Sequence, residues 1–344
     1  MNCRSCVYIC GNDMMFFGDA GNNKEGAMGL CCEPILGAPS WISFEETPEE
    51  TLHKFIDQCR MIDRECRNIK DDSKRHFTKG CVNCSNFKYG PYHNDGLVHF
   101  VNLTMCPAPC QCRCIYCDVY NGNQDATSET AIKLYDHTFD VLELALERGL
   151  IANDATYQVS SGEITIHPHR DRFMKILKGK PAYFFTNAMK FDEDIAQNLH
   201  DNPGSAINLS IDSGTRETWH KVKGLDNFDK VIENLSKYFV RTTRPGQITL
   251  KYIILPGIND TYEDYISVAE IMKVLNVSHL SISRDVYTKY SMSEQDTVNL
   301  TGAAAYLLAV LSKNGLRADL MTYSPEERQM VVNQANEVLA KGLV

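Results

Sequence analysis

LVHFVNLTMCPAPCQCRCIYCDVY, residues Leu97 to Tyr120, begins as a short apolar strand and ends in a cysteine-dense loop. Three of its cysteines, Cys110, Cys114 and Cys117, have the spacing C-x3-C-x2-C, with Tyr116 just before the last. Three thiolates on one short loop can hold three corners of an iron–sulfur cube, because cysteine thiolates are the usual ligands of such clusters. The fourth iron is then left without a protein ligand, and an open metal position is where a substrate or cofactor binds. A zinc knot is the plainer alternative. The spacing does not match the usual C-x2-4-C pairs with histidine partners.

Length and composition bound the rest. A chain of 344 residues accommodates one large domain and a smaller one. Hydrophobic content of 43% and a charged fraction of 23% are those of an ordinary globular protein. No run of about 18 apolar residues suggests a membrane span, and the opening MNCRSCVYICGND lacks the apolar core of a secretory signal. A cytoplasmic location without a membrane partner is expected. The net charge of −9 argues against a general nucleic-acid surface. All fourteen cysteines lie between Cys3 and Cys117, many in close pairs, which fits reduced metal-binding thiols better than disulfides.

Residues 1–96 hold Cys3-x2-Cys6, Cys10, the adjacent Cys31 and Cys32, Cys59, Cys66 and Cys81-x2-Cys84, separated by glycine-rich connections. One helix is predicted, from Pro48 to about Lys70, with Thr47 as its N-cap and Glu49 and Glu50 in its first turn. Cys59 and Cys66 recur on its apolar face with Leu52, Phe55, Ile56 and Ile62, so they read as small core residues. The remaining pairs resist that account. A glycine-rich segment buries too little apolar surface to fold alone, and small domains of this kind commonly need a metal. Two distant C-x2-C pairs can also form a four-cysteine zinc site.

From Leu97 short apolar runs alternate with amphipathic helices, the mark of a parallel β/α architecture. Strands are predicted at 97–103, 155–160, 182–187, 206–211, 248–254 and 277–283. Helices are predicted at about 128–148, 168–178, 192–200, 226–239 and 262–274, with two more at about 298–314 and 324–341. In such folds the C-terminal ends of the strands carry the chemistry. There the second strand gives Ser160-Ser161-Gly162-Glu163. Gly162 allows close backbone approach, and Glu163 can accept hydrogen bonds from an ammonium. The third strand ends in Phe185-Thr186-Asn187, and the fourth reads INLSIDSGTRETWHKVKG, with Ser210, Asp212 and Lys223-Gly224. Thr215 to Lys223 reads equally as a solvated helical turn. In the fifth, KYIILPGIND, alternation turns only one of Lys251 and Tyr252 inward. Ile253 and Leu255 follow. At the sixth, Arg284 and Asp285 can pair with each other or reach a substrate, while His167 and His169 read as part of a surface loop.

These motifs, in this order, resemble the radical S-adenosylmethionine (SAM) superfamily over about residues 97–290. The resemblance implies a partial (β/α)6 barrel, a 4Fe–4S cluster on Cys110, Cys114 and Cys117, and SAM chelated at the open iron by its amino and carboxylate groups. Cys106 and Cys112 are then bystanders. The family's GGE, here Ser161-Gly162-Glu163, holds the SAM amino group. Thr186 and Asn187 are placed to serve SAM, Ser210 and Asp212 meet its ribose and carboxylate, Lys223 pairs with a carboxylate, and Leu255 lies against adenine. Reductive cleavage yields a 5′-deoxyadenosyl radical that abstracts hydrogen from a substrate. The front segment, with its CC step, helix and Gly80-Cys81-Val82-Asn83-Cys84 close, resembles a SPASM or twitch auxiliary-cluster domain. Relatives carry that domain after the barrel. Four ligands from Cys3, Cys6, Cys31, Cys32, Cys81 and Cys84 are expected for an auxiliary 4Fe–4S cluster, with zinc as the alternative. Residues 291–344 are expected to be a helical extension packed on the barrel. Relatives with auxiliary clusters imply a peptide or protein substrate, or else radical oxidation or epimerisation of a sugar or other small molecule, with a flavodoxin- or ferredoxin-type electron donor. A methyltransferase and a non-catalytic iron–sulfur or zinc scaffold are the further alternatives.

Overall fold

The computed structural model describes residues 2–6, 14–19, 26–29, 40–68, 87–91, 95–104, 109–117, 127–160, 162–285 and 294–344. Packing divides the chain into two compact units, Met1–Pro109 with Gln124–Phe184, and Cys110–Asn123 with Phe185–Val344.

The first unit opens with strands β1 (Asn2–Cys6), β2 (Met14–Asp19), β3 (Gly26–Gly29) and β4 (Ser40–Ile42). Helix α1 (Pro48–Asn68) and β5 (Phe87–Pro91) follow. β1 and β5 form an antiparallel ribbon in which Cys3 stands opposite Gly90 and Cys6 opposite Phe87. β2 pairs in parallel with β6 (Val98–Thr104), and β3 and β4 continue outward from β2, each antiparallel to its neighbour. Residues 14–42 thus supply strands where the sequence predicts only connections. Cys31, Cys32, Cys81 and Cys84 lie outside the described residues.

α1 begins as expected: Thr47 accepts from the Glu50 amide at 3.2 Å while the Glu50 carboxylate accepts from the Thr47 amide at 2.8 Å, a reciprocal cap. Leu52 and Phe55 are buried, and a buried hydrogen bond of 2.9 Å joins Thr51 to His137 on α2 (Glu129–Glu147). Burial pushes the Cys59 thiol up to about 12, as befits a core residue. β6, β7 (Ile151–Ser160) and β8 (Ala182–Phe185) run parallel, with α2 after β6 and α3 (Arg170–Ile176) after β7.

In the second unit β9 (Ala206–Ser210), β10 (Ile248–Ile254), β11 (His279–Arg284) and β12 (Arg317–Leu320) are parallel and adjacent in that order. Its helices are α4 (Glu193–Asp201), α5 (Arg216–Lys223), α6 (Phe228–Phe239), α7 (Tyr262–Val274), α8 (Glu294–Lys313) and α9 (Pro325–Ala340). The described residues therefore hold seven such strands, β6 to β8 in the first unit and β9 to β12 in the second, where six were expected. β12 escapes sequence reading because it is four residues long and buries only Leu320. One face of β10 meets the helices: Leu250, Tyr252 and Ile254 are buried, and the Tyr252 ring packs on Tyr265 of α7 with centroids 5.8 Å apart.

Three expectations are corrected. α5 is no solvated turn: Thr215 caps it, Gly224 ends it in the left-handed region, and Trp219, Val222 and Lys223 are buried. Arg284 does not pair with Asp285 but makes two hydrogen bonds, 2.8 and 2.9 Å, to Glu327 of α9. The His167 and His169 rings are not on the surface, with 6% exposure for His167 and 11% for the His169 side chain.

The His167 ring lies edge-on to Tyr135, with centroids 4.6 Å apart, and its Nδ1 accepts from the His169 amide at 3.1 Å. Burial, with His169 adding to it, lowers its pKa from 6.5 to about 4. An unfolded chain takes up this proton as pH falls through 6.5, and the folded chain only near 4. Stability that is complete above pH 6.5 is therefore lost between about 6.5 and about 4, by on the order of 3 kcal/mol. Urea unfolding of wild type and His167→Asn across this range should show a shallower pH slope in the variant. Parallel slopes rule the assignment out.

Candidate functional site

The cysteine loop is held by backbone hydrogen bonds to the end of α5. The Arg113 amide donates to the Lys223 carbonyl at 2.8 Å and the Ile115 amide to the Val222 carbonyl at 3.0 Å, while the Cys117 amide turns back to the Cys114 carbonyl at 3.0 Å. The last carbonyls of a helix lack partners within it, and this loop supplies them. Gly224, at φ +71°, makes the approach possible: a Cβ there would stand 2.9 Å from Cβ of Arg113.

Cys110, Cys114 and Cys117 are partly exposed, whereas Cys112 between them is buried. The Cys112 sulfur lies 3.3 Å from the Met189 sulfur. Hydrogen bonding to Cys110 and Cys114 raises the Cys112 pKa. The same bond from Cys112 is the main cause that lowers Cys114 to about 6, against burial and with help from the Lys223 ammonium. Asn187, just past β8, donates to the Cys110 sulfur at 3.5 Å and to the Gln111 side chain at 3.0 Å.

Behind the loop, Asp212 gathers several elements. It is fully buried and carries φ +51°, an unusual conformation for a non-glycine residue. Its Oδ1 accepts from the Ile253 amide at 2.6 Å. Its Oδ2 accepts from the Tyr116 hydroxyl at 2.6 Å and the Lys223 ammonium at 2.5 Å. Lys223 also donates to the Tyr116 oxygen at 2.7 Å. Burial opposes the Lys223 charge, but Asp212 and Cys114 outweigh it and raise its pKa. Burial raises the Tyr116 pKa, and the neighbouring anions add to that. Asn259 locks the strained backbone by donating to the Asp212 and Ile253 carbonyls, both at 2.8 Å. One turn further, the buried Asp264 carboxylate accepts from the Gly214 amide and from the hydroxyls of Ser213, Thr215 and Thr218.

The other predicted residues fall as follows. Leu255 packs with Val222 and Ile253, and Tyr116 lies against that cluster. Thr186 is buried and accepts from the Ala188 amide at 3.1 Å. Ala188 is again left-handed, at φ +53°, and its carbonyl accepts from Asn234 at 2.8 Å. Ser210 ends β9, in register with Lys251. In the first unit, Gly162 has φ +61° and Glu163 is fully buried. The Glu163 carboxylate accepts from the Thr165 amide at 3.1 Å, and its own amide donates to the Pro109 carbonyl at 2.8 Å. Ser161 lies outside the described residues, as do the side chains of Cys3 and Cys6. Asn259, Asn234 and Asp264 were missed by sequence reasoning. Nothing in their local pattern sets them apart from ordinary turn and cap residues.

Among the described residues no three His, Cys, Asp or Glu side chains converge as a single metal ion requires. A cube takes one thiolate at each of three irons, so its ligands surround a volume instead of meeting at a point. Three partly exposed thiols on one anchored loop, one already inclined to the thiolate, fit that group.

Residues 109–270 match the family model of the Radical SAM superfamily. A UPF0026 protein of Helicobacter pylori (strain ATCC 700392 / 26695) is 21% identical over 189 residues, 53% of this chain and 60% of the relative. A GTP 3′,8-cyclase of Nautilia profundicola is 26% identical over 156 residues, 44% of this chain and 46% of the relative. The matches thus span less than two thirds of either relative. Streptococcus suis SuiB bound to S-adenosylmethionine superposes with a TM-score of 0.51 at 12% identity, over 81% of this chain and 60% of that one, a likeness of fold. An α/β protein with a parallel sheet and a cluster-type cysteine loop is the class defined here. Residues 109–270 are thus similar to the radical SAM domain, whose superfamily uses a 4Fe–4S cluster and SAM.

Gly224→Ala tests the anchoring of the loop. The added methyl group meets Arg113 and strains a left-handed residue, so stability should fall by about 2 kcal/mol and iron retained after anaerobic reconstitution should drop. Iron content and a urea midpoint both equal to wild type show that this contact does not hold the loop.

Proposed function

We propose that the chain is a radical SAM enzyme that modifies a peptide or protein substrate. Cys110, Cys114 and Cys117 hold the cluster and leave one iron for SAM. When bound, the reduced cluster and SAM supply a 5′-deoxyadenosyl radical that takes hydrogen from substrate. The observation that carries this reading is the anchored loop of three partly exposed thiols, tied through Tyr116 to Asp212 and Lys223.

The residue roles follow from what each group has left to offer. An ammonium has three N–H donors. Asp212 and Tyr116 take those of Lys223 in two directions, and we assign the third to the SAM carboxylate. Asp212, with both oxygens engaged, acts by holding Lys223 and the backbone, which leaves Ser210 for the ribose. Ile253 and Leu255 present an apolar surface to adenine. Ser161, Gly162 and Glu163 serve the amino group, and Thr186 with Asn187 borders the cluster loop. The front segment holds an auxiliary cluster on four of Cys3, Cys6, Cys31, Cys32, Cys81 and Cys84, and a flavodoxin or ferredoxin delivers electrons. No helix among the described residues is long and apolar enough to cross a membrane. The similarity to GTP 3′,8-cyclase favours a second reading, hydrogen abstraction from a small molecule.

The test is anaerobic. Reconstituted wild type with SAM and a strong reductant should form 5′-deoxyadenosine, and the Cys110/Cys114/Cys117→Ala variant should form none. That variant should lose about four irons and retain about four. Retained zinc in their place removes the auxiliary cluster. An intact cluster in wild type that yields no 5′-deoxyadenosine removes the enzyme reading.

A further inference from the structure

We propose that Lys251 receives the substrate by binding a carboxylate group that the substrate carries; this deepens the radical SAM reading above and rests on it. Leu250, Tyr252 and Ile254 face the helices, so alternation places Lys251 on the opposite face of β10 with Ile253. Ile253 packs with Val222 and Leu255, against which Tyr116 of the cysteine loop lies. Lys251 is one alternation step deeper along the same strand, about 7 Å from Ile253. It therefore stands under the cluster loop, on the face where the loop sits.

Register supplies its neighbours. Lys251 pairs with Ser210 on β9 and with Ser281 on β11, and Ser281 in turn with Asp319 on β12. Paired residues of parallel strands share a face, so an ammonium stands between two hydroxyls in one row across the sheet. Among the described residues no carboxylate comes within ion-pairing distance of it. Asp212 is committed to Lys223, and Asp319 accepts from Ser281 at 2.9 Å and lies 2.7 Å from His279. Burial lowers the Lys251 pKa, with Asp212 opposing the shift and Lys223 adding to it.

A largely buried ammonium without a counter-ion is unfavourable, and packing alone does not require a lysine there. A ligand anion resolves both points. The row offers one ammonium without an ion-pair partner among the described residues, with the Ser210 hydroxyl beside it and the Ser281 hydroxyl already given to Asp319, which matches a singly charged carboxylate. A polyphosphate needs several cations, and among the described residues Lys223, the other lysine shown beside Asp212, is already paired. An acidic side chain or the C-terminus of a peptide meets this requirement, and a nucleotide does not.

Reductive methylation of the full-length chain, read by mass spectrometry at Lys251, tests the proposal with sodium acetate and inorganic phosphate as probes against chloride at equal ionic strength. Acetate should slow methylation of Lys251 about tenfold at about ten times its dissociation constant, with exposed lysines unaffected and phosphate no better than chloride. Equal rates in acetate and chloride, a Lys251 that is never methylated, or stronger protection by phosphate each overturn it. The labelling needs neither cluster nor turnover. Failed protection in a chain that still makes 5′-deoxyadenosine sinks only this inference. Protection in a chain that makes none sinks the enzyme reading instead.

Discussion

The carboxylate of Asp212 has no solvent to share its charge, and three elements of the second unit donate to it. The β10 backbone donates through Ile253, the cysteine loop through Tyr116, and α5 through Lys223. A buried ion pair is weak evidence for stability, since desolvation can cancel its attraction. Its geometric effect is another matter. Charge-assisted hydrogen bonds are short and directional, so three elements are fixed to one another within the tolerance of a single side chain. The left-handed backbone of Asp212 is held in place from the other side by Asn259. Strain of that kind persists only where its surroundings over-determine it.

Two lysines near this carboxylate are shifted in opposite directions. Lys223 touches Asp212 and is raised despite complete burial. Lys251 has no contact of its own with an acid and is lowered. The residue type is the same and Lys223 is the more deeply buried, so its upward shift comes from who stands beside it. One lysine is thereby made part of the framework, and the other is left available to what enters from outside.

Much of this was legible in the sequence, for reasons that can be named. The cysteine spacing, the apolar runs of β6 to β11 and the cap at Thr47 are local signals, and local physics realises them. β12 was not legible, because an edge strand of four residues carries too little apolar pattern. α5 reads as polar because its burial comes from partners distant in sequence, Tyr116 before it and Ile253, Leu255 and Asp264 after it. For the same reason Tyr116 could be recognised as an aromatic beside a cysteine, but its hydroxyl could not be placed on Asp212. His167 misleads in the other direction: Pro168 and a histidine pair suggest a surface loop, and the aromatic residues of α2 cover it.

The parallel pairing of β2 with β6 sets an order of events at the ribosome. Met14 takes its place beside Phe100, and Phe17 beside Leu103, so β2 has only the antiparallel β3 beside it, and no parallel partner, until some 86 further residues have been made. At ordinary synthesis rates that interval is on the order of ten seconds. Cys31, Cys32, Cys81 and Cys84 are all translated within it. The sheet cannot shelter this part of the chain while it waits. If these thiols are to become ligands, they must be kept reduced, or be met by metal, before the sheet they are attached to has been completed.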